Sequence, residues 1–291
     1  MNGAGLLLAA ALGASAPSRG VLEPQPLGTR YLRLGETAEL SAVLVAADGR
    51  RLPLPPETET RLRWFEARPE GRDYDNVRRC HGRPRPDCAD PIAYRLNEIA
   101  RWRGRARIQV SAADVGLGSH RYAVTLGAVP AVAGDAIAAW PAIVVRRDDT
   151  YTGYLTELVG TPFVFWPTAR EVDERLGADC VALVIYGRRR LGRRVPYVSP
   201  RGLEKLTARV AAGRFPRDRP PASTPPLVPV RVGDIVHFGF QTAVVVEDRP
   251  PLGVLTEHDV IIHSFHGVAE QVPLGEVPYA HFPFEVRRWK D

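Results

Sequence analysis

Residues 177–192 read GADCVALVIYGRRRLG, and this stretch decides the architecture of the second half of the chain. Cys180, Leu183, Val184, Gly187 and Leu191 recur at helical spacing, while Arg188, Arg189 and Arg190 fall mostly off that stripe. A helix is expected over residues 180–191, stopped by Gly192. Upstream, Asp149 or Thr150 can cap a short helix running to Val159, ended by Gly160. Downstream, Ser199 and Pro200 offer a cap and a first-turn proline for a third helix, expected to end at Gly213. Residues 216–229 hold six prolines and read as a surface loop. Strands are expected over residues 234–247, 259–265 and 282–289. Helices first, then an antiparallel sheet, is an α+β order rather than a doubly wound one.

The first half has a different texture. Residues 38–46, AELSAVLVA, alternate as a strand does, Asp48-Gly49 signals a turn, and residues 50–53 can return as the partner. Residues 61–67 place Leu62 and Trp64 on one face. Residues 106–111 and 120–126 are further strands, joined through the glycine-containing VGLGS, and residues 142–146 close the series. Short strands at this spacing suggest a small Ig-like β-sandwich over residues 20–147, an accessory domain with Trp64 in its core. Arg147-Asp148-Asp149 is a charged break, so a second domain is expected over residues 148–291.

Composition sets the outer limits. The 291 residues suit about two domains. Hydrophobic content of 45% and charged content of 25% exclude wholesale disorder and collagen-like repetition. No apolar run reaches the ~18 residues of a membrane helix, so an integral membrane segment is not expected. The formal charge is +6, and Lys205 and Lys290 are the only lysines among 39 basic residues. No aromatic RNA-binding strand or paired Cys/His finger surrounds the arginines, so nucleic acid is not an expected partner.

Residues 5–16, GLLLAAALGASA, form a short apolar run ending in a small-x-small pattern. This reads as a signal peptide over residues 1–19, which places the mature protein in the periplasm or outside the cell. In such a compartment Cys80 and Cys88, which bracket CHGRPRPDC, are the natural disulfide pair. A metal site there lacks a second ligand pair, and the spacing of His258, His263 and His266 fits no helical zinc motif. Neither a metal nor a cofactor is expected.

Cys180 is then left alone, either buried and inert or used. It stands where a loop enters a helix, and the helix dipole there favours the thiolate, the attacking species in acyl transfer. A base must lie within reach, and the following sheet supplies His237, His258, His263 and His266.

Four segments carry a resemblance: Gly160-Thr161-Pro162-Phe163, then residues 177–184 (GADCVALV), then Val232-Gly233-Asp234-Ile235-Val236, then Val260-Ile261-Ile262-His263-Ser264. In this order they resemble the NlpC-type cell-wall cysteine peptidases, over residues 150–291 only. The resemblance implies a papain-like fold, hydrolysis of amides in peptidoglycan peptides, and a cell-wall peptide or polymer as partner. It makes Cys180 the nucleophile and His263 the third catalytic residue. The family's base histidine is matched by Gln241, its tyrosine by Phe163, and the serine after its cysteine by Val181. Of the three groups that hold a peptide amine in the family, only Asp179 remains. Two readings follow. In one, His263 is the base, and Gln241 orients it or binds the oxyanion. In the other, the domain is an inactive NlpC-like module that binds cell wall or protein.

Overall fold

The structure, a computed structural model, describes residues 21–77, 92–127, 129, 132, 134–215 and 227–290. The expected signal peptide, the expected Cys80–Cys88 disulfide and most of the proline-rich stretch lie outside these residues. The chain has a mixed α+β architecture and divides into two compact units, Met1–Glu70 with Pro91–Val145, and Gly71–Asp90 with Arg146–Asp291. Among the described residues no helix is long and apolar enough to cross a membrane.

In the first unit two sheets share one core. A four-stranded sheet centres on Thr37–Val45, which pairs with Val21–Gln25, Arg51–Leu52 and Arg107–Ser111. A five-stranded sheet runs in the order Thr29–Arg33, Ala142–Arg146, Gly118–Thr125, Arg63–Pro69, Tyr94–Glu98. Leu40, Ala42, Ile108 and Val110 from one sheet meet Trp64, Tyr122, Val124, Ile143 and Val145 from the other. Alternation along each strand aims these side chains at a common interior. Trp64 is fully buried, edge-on to Trp102, and its indole N–H donates to the Arg105 carbonyl at 2.9 Å. The strands expected over residues 106–111 and 120–126 lie in different sheets. A helical turn, Ala112–Val115, capped by the Ser111 hydroxyl, redirects the chain between them.

The second unit is built on a six-stranded antiparallel sheet in the order Thr207–Gly213, Phe284–Trp289, Ile235–His237, Thr242–Glu247, Val260–Ser264, Ala269–Pro273. Both faces are covered. Ile235, Val244, Val246, Val260 and Ile262 pack on the Cys180–Arg190 helix, while Val236, Ala243, Val245 and Ile261 pack with Phe238, Leu274, Tyr279 and Phe284 on the other side. Two-sided burial explains why these strands read as unbroken apolar runs. The helix is buried on every side from Cys180 to Gly187, beyond the single stripe expected, whereas Leu191 is exposed. Gly187 permits its contact with the Tyr151–Leu155 helix, because a Cβ there would stand 2.7 Å from Leu155 Cδ2.

The third expected helix stops early. Ser199 caps Pro200–Leu206, and residues 207–213 then form an edge strand along Phe284–Trp289. Burial of Thr207 under Arg287, whose Nε donates to the threonine hydroxyl at 2.9 Å, fixes the switch. The segment around Tyr74 adds a piece the sequence reading placed in the first domain. Tyr74–Asp75 pairs in parallel with Val164–Phe165, and Asn76 bridges to the Trp166 carbonyl and the Glu171 carboxylate.

Candidate active site

Asp179 caps the helix that starts at Cys180: its carboxylate accepts from the Ala182 N–H at 2.7 Å and from the Tyr197 hydroxyl at 3.1 Å. Burial raises the Asp179 pKa despite these donors. Thr242, at the start of the adjoining strand, donates its hydroxyl to the Cys180 carbonyl at 3.0 Å. Ser264 does the same to the Ala178 carbonyl at 2.9 Å. Two buried hydroxyls thus pin the loop and first turn that carry the cysteine onto the ends of two strands.

Cys180 is a free thiol, 7% exposed, on the wall of a cavity of about 640 Å3. Gln241, Asp179 and Phe163 line the same cavity, as do Trp166, Phe240, Phe265, His266 and Asp73. Phe165, Trp166 and Phe240, each about half exposed, line it, so the walls are aromatic. The volume suits a short peptide segment.

The thiol departs from the expectation of a stabilised thiolate. Burial pushes its pKa up to about 12, and the Asp179 carboxylate adds like-charge repulsion. Donors from Thr242 and the Val181 N–H offset only part of this. The helix terminus is outweighed because the sulfur is largely buried and a negative cap sits beside it. Cys180 rests as a neutral thiol, and its proton has to be removed as it reacts.

His263 does not line the cavity. It shares the sheet face of Ala243 and Ile261, with Nδ1 at 2.7 Å from the Tyr279 hydroxyl and Nε2 at 3.5 Å from a Glu270 carboxylate oxygen. Burial lowers its pKa to about 4, so the ring is neutral at pH 7. Burial thus moves the Cys180 thiol up and the His263 ring down, so transfer of the thiol proton onto His263 is unfavourable. Tyr279, which sequence reasoning missed, is the junction of this buried group: its hydroxyl meets His263, and its ring packs edge-on against Phe238 and Phe265. Gln241 donates to the Ser264 carbonyl at 3.0 Å, so its amide is fixed at the cavity edge. His237 is buried elsewhere, 3.7 Å from a Glu204 carboxylate oxygen.

A second polar pair faces the cavity. His266 Nδ1 is bonded to one Asp73 carboxylate oxygen, and the other oxygen accepts the Gly267 N–H at 2.9 Å. Asp73 comes from the Tyr74 segment, far upstream in sequence, and carried no local signal. Among the described residues no cluster of His, Cys, Asp and Glu could hold a metal ion. The chain matches no protein-family model, no curated protein and no solved structure.

Proposed function

We propose that the second unit is a cysteine hydrolase with a papain-like arrangement. It cleaves an amide in a peptidoglycan peptide or a related peptide through Cys180. The observation that carries this reading is the placement of the Cys180 thiol at the first turn of a helix, on the wall of an aromatic cavity that also holds a polar amide and an imidazole–carboxylate pair. In this reading the sulfur attacks the amide carbonyl. Backbone N–H groups at the helix start face the region where the oxyanion develops, and the Gln241 amide, held by the Ser264 carbonyl, stands at the cavity edge. Asp179 is already committed to Ala182 and Tyr197, which makes it a structural cap first and a contact for a substrate amine second. The resemblance to NlpC-type peptidases and the apolar N-terminal run support export and a cell-wall substrate. The test is incubation of the protein with purified muropeptides, with mass detection of cleaved fragments. Wild type releases fragments and Cys180→Ala releases none. Intact muropeptides after prolonged incubation with wild type contradict the reading.

One observation favours a second reading, a binding module without turnover. The base position holds Gln241, and the thiol beside it is held protonated. In that case Cys180→Ala retains muropeptide binding with unchanged affinity, and wild type binds without cleaving.

A further inference from the structure

We infer that His266, held by Asp73, is the acid–base catalyst of the cavity; this rests on the hydrolase reading above. Four observations converge on the ring. It lines the cavity that holds Cys180. Its Nδ1 meets a carboxylate that can only accept, so Nδ1 carries a proton, and in the neutral ring Nε2 is the nitrogen left to act as base. The other Asp73 oxygen accepts the Gly267 N–H, so one carboxylate holds both the ring and the backbone beside it. Phe265 stands edge-on to the ring at 4.2 Å and Phe163 lies at 6.0 Å, which limits its rotation. A nucleophile, a base and an orienting carboxylate, the groups that covalent amide hydrolysis requires, thus line one cavity from three distant parts of the chain.

The chemistry balances without any co-reactant beyond water. As Cys180 Sγ bonds to the amide carbon, the thiol proton passes to His266 Nε2 and the carbonyl electron pair moves to oxygen. Collapse of the adduct breaks the C–N bond, and the imidazolium returns its proton to the leaving amine. Water then attacks the thioester and gives a proton to Nε2. The C–S bond breaks, and that proton goes back to sulfur. One amide and one water become one carboxylic acid and one amine. His266 is thus a catalytic residue and Asp73 a positioning residue.

The experiment is single-turnover acylation by p-nitrophenyl acetate, read by p-nitrophenolate release and by intact mass. Wild type gains one acetyl group on Cys180, and Cys180→Ala gains none. His266→Ala slows acylation by about 10²–10⁴-fold, and added imidazole restores part of the rate. Asp73→Asn slows it as well, and the solvent deuterium isotope effect of wild type disappears in both variants. Exposed His258 provides a control, and His258→Asn acylates at the wild-type rate. Wild-type rates in His266→Ala, with Cys180→Ala inert, overturn the assignment of His266 and leave the hydrolase reading standing. A wild-type protein that takes no acetyl group on Cys180 overturns both.

Discussion

The resting state of Cys180 makes a quantitative prediction about its reactivity. Its thiol sits at about 12, raised first by burial and second by Asp179. At pH 7 the thiolate is then about one molecule in 10⁵, against roughly one in 10² for an ordinary cysteine. The more basic thiolate is the better nucleophile. A Brønsted slope of about 0.4–0.5 across this interval offsets the deficit by ~20–30-fold. Alkylation by iodoacetamide at pH 7 should therefore run about 30–50-fold slower than that of a free thiol. The rate should climb tenfold per pH unit to pH 10 with no plateau. Asp179→Asn keeps an oxygen to accept the Ala182 N–H but removes the negative charge, so its rate at pH 7 should exceed that of wild type. The assay is intact-mass alkylation kinetics from pH 6 to pH 10, with site assignment by peptide mapping. A plateau below pH 8, or a rate above that of a free thiol at pH 7, refutes the electrostatic reasoning.

Three further outcomes follow from particular contacts. The folded pKa of Cys180 lies above its unfolded value near 9, so its stabilising effect is full below pH 9 and is lost as pH rises toward 12. Urea unfolding of Cys180→Ala should show a shallower loss of stability across that window than wild type. Tyr279→Phe strips His263 Nδ1 of its hydroxyl partner in a buried site and should cost ~1–3 kcal/mol by denaturant unfolding. Gly187→Ala forces a Cβ to within 2.8 Å of the Tyr151 ring as well as Leu155, so overpacking of ~1–3 kcal/mol should outweigh the better helix propensity and lower the unfolding midpoint.

The Cys180 helix was legible because its apolar spacing, its Asp179 cap and its stop at Gly192 all agree locally. The strand at Val260–Ser264 was legible from its dense β-branched run. Residues 234–247 read as one strand but fold as two, Ile235–His237 and Thr242–Glu247, paired antiparallel with each other. Residues 207–213 read as helix because nothing local marks the change at Thr207; the partner strand Phe284–Trp289 decides it. Tyr74–Asp75 was invisible for the same reason, being a two-residue strand whose partner lies about 90 positions away. That gap hid Asp73, and with it the reason to single out His266 among the histidines of the sheet. Tyr279 lies outside any regular element, so periodicity says nothing of it. Thiol ionisation went the other way from expectation, because dipole arguments see the helix start in sequence but not the burial of the sulfur.

The most direct measurement is an acid quench during incubation with muropeptides, followed by intact-mass analysis. Covalent catalysis predicts a fraction of the protein carrying one peptide acyl fragment, mapped to Cys180 and released by hydroxylamine. Disappearance of muropeptide with no adduct on Cys180 at any quench time, or no disappearance at all, would contradict a hydrolase that works through this thiol.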